Sequence, residues 1–294
     1  MPTKTPVLSI IVCAFNMQRE LPRTLLTLSP RMQIGVSATD YEIIVLDNGS
    51  VPEVRMGELT QIASNIRLVR IDNAQASPVQ AINQQMQILT SNCIGLWIDG
   101  ARMASPGVIS LALDAFRRDP SKIIGTLSFH LGTDVQMNSV FAGYNQDAED
   151  KLLSGTNWSS DSYSLFDISV LAGSSREGWF GCIGESNGVF FGREFFQKTG
   201  GLDERFRGVG GGFANLEFWN RAVQYSGFQP WILLGEGTFH QVHGGAATNS
   251  NAAVRKAMHE EFIDIFQRPF EVLRYSPQYI GALNEKTFRC GMPK

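Results

Sequence analysis

The chain has 294 residues, 43% of them apolar, and a formal net charge of −3 with a pI near 5.9. That length and apolar share suffice for a substantial core in one large domain or two small ones. No run of basic residues is present, so the electrostatic footprint of a nucleic-acid binder is missing and no nucleic-acid partner is expected.

The opening "MPTKTPVLSIIVCAF" carries one lysine and then an apolar run too short to span a membrane, without the small-residue site of a signal peptide. It predicts a first strand from Val7 to Ala14 in a cytoplasmic protein with no transmembrane segment, peripheral membrane attachment being left open. Further apolar runs rich in β-branched residues predict strands over Tyr41 to Asp47, Ile66 to Ile71, Ile94 to Ile98 and Ile123 to Phe129. Segments of helical period alternate with them, which is the pattern of an α/β fold with a mostly parallel sheet covered on both faces. Ser77-Pro78 and Ser105-Pro106 each put a capping residue before a proline and predict helix starts. After the second, Val108, Leu111, Ala112, Ala115 and Phe116 recur at helical spacing and are expected to face the sheet.

From Gly132 to about Trp179 periodicity is lost, as befits a binding surface or a lid. Trp158, Trp179 and Trp231 are candidates either for stacking on a ligand or for filling the core. The stretch Asn187 to Phe196 predicts a strand running into a short helix, and Asn215 to Tyr225 a helix whose apolar face is Leu216, Trp219, Ala222 and Val223. A last helix is expected from about Asn251 to Gln267, with the tail after Pro269 the least ordered part. Cys13, Cys93, Cys182 and Cys290 show no metal or redox spacing and are expected to be reduced and packed.

No glycine-rich turn follows the first strand, where "CAFNMQRE" stands, so the dinucleotide fingerprint and the phosphate-binding P-loop are both excluded. Instead the first strand ends in Phe15 and Asn16, the second in "LDNGS" at Asp47, and the fourth apolar run in "WIDGAR" at Asp99. Polar and acidic residues at the carboxyl ends of parallel strands face the crevice where such sheets bind ligands.

The stretches "LSIIVCAFN", "YEIIVLDNGS", "WIDGARMASPG" and "GVFFGREFFQKTGGLDERF" before "NLEFWNRA", followed by "FHQVHGG", together cover roughly residues 6 to 248. In this order they resemble the family 2 glycosyltransferases, inverting enzymes of GT-A fold that use nucleotide-activated sugars. The resemblance implies a GT-A (Rossmann-like), mostly parallel mixed sheet flanked by helices. Residues 1–130 would form the nucleotide-sugar-binding half, 131–250 the acceptor-binding half of the same domain, and 251–294 a C-terminal helix and tail.

Carried over residue by residue, it implies that Phe15 and Asn16 line the nucleotide pocket and that Asp47 accepts a hydrogen bond from the N3–H of a uracil or thymine. The other reading of Asp47 is a turn-forming residue before Asn48-Gly49. Asp99 falls on the first aspartate of the family's Asp-x-Asp motif, which with the diphosphate holds a divalent cation, manganese or magnesium. The second aspartate is Ala101 here, and His243, matching the family's late histidine, is the candidate for a further ligand. His240 lies three residues earlier, and strand alternation predicts that the two rings face opposite ways so that only one ligates. Arg102 is placed either to grip the diphosphate in the metal's stead or to pair with Asp99.

The family's catalytic acidic pair is Ala214 and Asn215 in this chain, which leaves Glu217 and Glu185 as candidate bases. Glu217 also stands i, i+4 to Arg221, the spacing of a helix ion pair. The glycine-rich run from Gly208 to Phe213 suits a loop closing over bound sugar or, alternatively, a tight helix entry. The expected function is transfer of a hexose or related sugar from a UDP- or dTDP-sugar donor, with inversion, to a glycan or small-molecule acceptor; homo-oligomerisation is left open. The alternative is a catalytically silent module that binds nucleotide sugar or glycan.

Overall fold

The computed structural model describes residues 6–244 and 252–293; Gly245 and the expected helix start at Asn251 lie outside them. One ten-stranded sheet organises the chain. Its strands are β1 (Leu8–Ala14), β2 (Tyr41–Asp47), β3 (Ile66–Arg70), β4 (Cys93–Trp97), β5 (Arg102–Ala104), β6 (Ile124–Leu131), β7 (Ser169–Leu171), β8 (Gly188–Gly192), β9 (Trp231–His240) and β10 (Gln278–Gly281). The helices are α1 (Leu21–Leu28), α2 (Met56–Ile62), α3 (Val79–Gln87), α4 (Val108–Arg118), α5 (Gln136–Ser139), α6 (Gln146–Ser154), α7 (Arg193–Thr199), α8 (Ala214–Tyr225), α9 (Ala252–Phe266) and α10 (Glu285–Cys290).

The order across the sheet is β10-β9-β6-β8-β4-β1-β2-β3, with β5 pairing β9 and β7 pairing β6. The pairs β1·β2, β1·β4, β2·β3, β6·β9 and β9·β10 are parallel, whereas β8 runs antiparallel to both β4 and β6. Period-2 side-chain alternation divides the apolar residues between two cores. Leu8, Ile10 and Val12 of β1 join Leu21 and Leu25 of α1 and Val108 and Ala112 of α4 on one face. Ile11 and Cys13 join Ile82 of α3 and Phe218 and Trp219 of α8 on the other. That double covering is why the strands read as nearly unbroken apolar runs.

Local chemistry departs from expectation in three places. Ser105 does not cap α4: its hydroxyl donates to Glu236 of β9, and the Glu236 carboxylate instead accepts the Gly107 N–H at 2.9 Å, so the cap arrives from a distant strand. The irregular stretch after Gly132 contains α6, capped by Asn145, whose side chain accepts the Ala148 N–H at 3.0 Å. The tail after Pro269 is not structureless: β10 extends the sheet edge beside β9, and α10 carries a capping box built by Asn284 and Thr287.

Trp179 is the anchor for that tail. It is fully buried and donates from Nε1 to the Thr287 carbonyl at 2.8 Å, while its backbone N–H reaches Gly291. Trp158 and Trp231 pack at the margins of the two cores, so all three tryptophans are spent on packing. Among the described residues no helix is long and apolar enough to cross a membrane.

Candidate functional site

A cavity of about 630 Å³ opens at the carboxyl rim of the parallel strands, a size in the range of small-molecule sites. Its walls come from the ends of β1, β4 and β9, from the loop before β8, from the glycine loop before α8 and from the head of α8.

At one end, β4 delivers Asp99 into a tight connection to β5. The Asp99 carboxylate accepts the Ala101 N–H at 2.9 Å through Oδ1 and the Arg102 Nε–H at 2.9 Å through Oδ2. A Cβ on Gly100 would come within 3.3 Å of Leu21, Met17 and the Cys13 carbonyl, so the glycine lets this turn lie close against α1 and β1. The connection folds β5 onto the end of β9 with Arg102 opposite His240, and this pairing brings the acid to the histidines.

Strand β9 stops at His240, so alternation no longer separates the two histidines, and their Nε2 atoms meet at 3.0 Å. His240 Nε2 also lies 3.8 Å from Asp99 Oδ2. The intervening backbone is fixed on both sides: Gln241 N–H donates to the Ala101 carbonyl at 2.8 Å, and Val242 N–H to Glu149 Oε2 of α6 at 2.7 Å. The expectation that only one histidine points at Asp99 is therefore corrected, and His240 joins the site.

Protonation follows from these neighbours. Burial opposes ionisation of Asp99, but Arg102, His243 and the Ala101 N–H outweigh it and hold the carboxyl below the usual carboxylate range. Burial and then the Arg102 cation push His240 well below the ordinary imidazole value. Burial likewise lowers His243, against the opposing pull of Asp99 and Glu20. Asp99 is thus held toward its ionised form and both imidazoles toward their neutral form, a donor set fit for a divalent ion, and donor atoms of Asp99, His240 and His243 lie within 4.8 Å of one another. Among the described residues, His240 Nδ1 and Arg102 Nη1 are buried here without a hydrogen-bond partner.

At the mouth of the cavity stand Phe15 and Asn16, both in its lining, Phe15 half exposed. Asn16 takes a left-handed φ of 53° and ties the strand end to the next loop, donating from its backbone to Ser50 Oγ and accepting the Val51 N–H. Asp47 is fully buried behind the wall rather than on it. Its oxygens accept the Ser50 N–H at 2.9 Å and the Arg70 guanidinium, so it orders the turn that presents Asn48. Burial would raise its carboxyl, but the Ser50 and Arg70 hydrogen bonds prevail and lower it.

Glu185 and Asn215 also line the cavity, and they do so together. Asn215 Nδ2, at the head of α8, donates to Glu185 Oε2 at 2.6 Å and contacts the Ser186 carbonyl. Glu217 lies elsewhere. Both of its oxygens are taken by Arg221, at 2.8 and 2.7 Å, and Arg221 continues to the Thr199 and Gly201 carbonyls, so the pair fastens α8 to the end of α7.

The glycine loop is held from outside. Gly210, Gly211 and Gly212 all have positive φ, at 69°, 82° and 52°, a run closed to side-chain-bearing residues. Glu261 of α9 accepts the N–H groups of Arg207 and Gly208, each at 2.8 Å.

A mixed sheet with this strand order and a carboxylate-bearing cavity at its rim defines an α/β protein of GT-A type. The family model for glycosyl transferase family 2 matches residues 9–169, more than half of the chain, and the chain belongs to that family. Among solved structures it is similar to S. aureus TarS 1–349, with 9% identity and a TM-score of 0.51 over 87% of this chain and 65% of that one. The S. aureus TarS 1–349 complex with UDP-GlcNAc matches at 10% identity and a TM-score of 0.51, over 87% of this chain and 66% of that one. Identities this low establish the shared GT-A fold, and this chain spans somewhat less than two thirds of the TarS fragment. No curated protein sequence matches the chain.

Proposed function

We propose that the protein is an inverting glycosyltransferase that moves a sugar from a nucleoside diphosphate donor to a hydroxyl of a glycan or small-molecule acceptor. The observation that carries this reading is that one cavity is lined both by Asp99, Arg102, His240 and His243 and by Glu185 with Asn215. A UDP-sugar is the favoured donor, in keeping with the fold shared with a protein solved in complex with UDP and with UDP-GlcNAc. Residues 1–130 would carry most of the donor contacts and 131–250 the acceptor contacts within one sheet, with the tail from 251 buttressing the glycine loop.

In this reading the nucleoside lies along Phe15, Asn16 and Asn48, and the diphosphate reaches the Asp99 end. Arg102 has a buried Nη1 donor without a partner among the described residues, and a phosphate oxygen would be an acceptor for it. Asp99, His240 and His243 would hold a divalent cation, whose chemistry is to neutralise charge on the departing diphosphate. Glu185 takes the proton of the acceptor hydroxyl as that oxygen bonds to the anomeric carbon. The bond from that carbon to the diphosphate oxygen breaks on the opposite face, so a single displacement inverts the centre. Asn215 orients Glu185, which explains how the chain dispenses with the acidic pair at Ala214 and Asn215.

The test is release of nucleoside diphosphate from a panel of UDP- and dTDP-sugars, with and without acceptors, by the full chain. Turnover of at least one donor that is lost in Arg102→Ala supports the reading. Donor binding with no turnover across diverse acceptors would instead favour a silent binding module, the reading to which Ala101 and Ala214 point.

A further inference from the structure

The charge of the cavity wall does not suit a diphosphate unaided. Among the described lining residues there are two carboxylates, Asp99 and Glu185, and one cation, Arg102. The chain from Gly245 to Asn251, which follows directly on the lining residue Gly244, contains no charged residue in its sequence. A wall of net formal charge −1 must therefore receive a doubly negative diphosphate, and one arginine leaves the sum strongly negative. A divalent cation redresses it, and the only cluster of three ligand-bearing side chains among the described residues stands at that end.

We propose that His240 takes the coordinating role that an aspartate at position 101 would fill, so that Asp99, His240 and His243 form a one-carboxylate, two-imidazole site selective for manganese, cobalt or zinc over magnesium. The proposal rests on the reading of this cavity as a diphosphate site and concerns which residues of this chain serve the ion.

Three observations carry it. Ala101 is fully buried in the turn, and its N–H rather than a side chain meets Asp99. His240 is brought to Asp99 by its register opposite Arg102 and by the end of β9, both fixed by backbone pairing. The two Nε2 atoms are 3.0 Å apart and His240 Nε2 is 3.8 Å from Asp99 Oδ2, spacings that one ion can bridge with small ring rotations. Magnesium prefers oxygen ligands in near-octahedral geometry and sheds water reluctantly, whereas imidazole suits the later first-row ions. Arg102 stands on the same Asp99 oxygen, so its charge opposes the bare ion and is offset when diphosphate arrives. By linkage, UDP should tighten manganese binding and manganese should tighten UDP binding by the same factor.

The experiment is calorimetric titration of the full chain with MnCl2, CoCl2 and MgCl2, with and without UDP, together with pulsed EPR of bound manganese to count coordinated nitrogens. Expected are manganese and cobalt binding with magnesium at least about tenfold weaker, and two coordinated nitrogens. His240→Ala and His243→Ala should each lower manganese affinity by about tenfold or more, while His259→Ala, at an exposed histidine of α9, should not. One coordinated nitrogen, magnesium binding as tightly as manganese, or unchanged affinity in His240→Ala would overturn the proposal. The nitrogen count needs no variant, so misfolding of a buried-histidine mutant does not spoil the test. UDP bound without any ion dependence would end the metal inference and leave the donor reading standing; ion bound without UDP would do the reverse.

Discussion

Glu185 and Glu217 are both glutamates at the edge of the same helix-and-loop region, yet their surroundings assign them different work. Glu217 is closed off by Arg221, whose hydrogen bonds run on to the end of α7. Glu185 faces the cavity with Asn215 as its hydrogen-bond partner among the described residues. Glu185→Gln should lower kcat by about 10²- to 10⁴-fold, the scale of general-base loss, with little change in donor KM. Glu217→Gln should leave kcat unchanged and cost about 1–3 kcal/mol of stability, measured by urea denaturation, as expected for loss of charged hydrogen bonds. A reversal of these two outcomes would exchange their roles. Here the sequence was informative only in part. The i, i+4 spacing of Glu217 and Arg221 disclosed the ion pair, but the partnership of Glu185 with Asn215 joins residues 30 positions apart and left no local pattern. The pairing of His240 with His243 was hidden for a different reason, since strand periodicity holds only while the strand continues, and β9 ends at the first of the two.

Two helices discipline the loops around the cavity. On one side α6 places the fully buried Glu149 against the Val242 N–H, with Arg19, Arg23 and the Tyr144 hydroxyl around it. Burial pushes this carboxyl up to about 7, against the lowering effects of Val242 and Arg19. A raised carboxyl gives stability that is fully present below its unfolded value and is lost as pH rises through about 7. The difference between wild type and Glu149→Gln, from denaturation at pH 5 and pH 8, should therefore shift toward the variant at the higher pH by about 2–3 kcal/mol. A pH-independent difference would mean that Glu149 does not titrate in that window. On the other side α9 holds the glycine loop through Glu261. Glu261→Ala should accelerate hydrogen exchange at residues 207–212 while leaving β1 and β2 protected; unchanged exchange would show that the loop holds itself. Neither helix contact was legible in advance. For α6 the signal, Asn145 before an acidic first turn, was present but short, and Glu261 reads as one acid among several on α9.

Across the whole molecule the sequence was most transparent where both faces of the sheet are covered. The runs at β1, β2 and β4 are apolar at nearly every position because alternate side chains enter separate cores, so their existence is legible from the local sequence; β3 and β6 carry polar residues but keep enough β-branched and apolar positions to be read as strands. The short strands β5 and β7 escaped because three residues carry no period, and β10 because its pairing with β9 is set by the tail's return across the sheet edge. These unforeseen pieces matter to function, since β5 is what carries Arg102 and Asp99 to the histidines. Asp47 and Asp99 stand at one rim, on flanking strands of β1, and both act electrostatically on Cys13 between them. The cavity at that rim is the centre of the functional reading, and a crystal structure of the full chain with UDP and MnCl2 tests it most directly. The expected result is the diphosphate within hydrogen-bonding distance of Arg102, with the ion between it and Asp99, His240 and His243. UDP seated on any other surface, with this cavity filled only by solvent, would contradict the assignment.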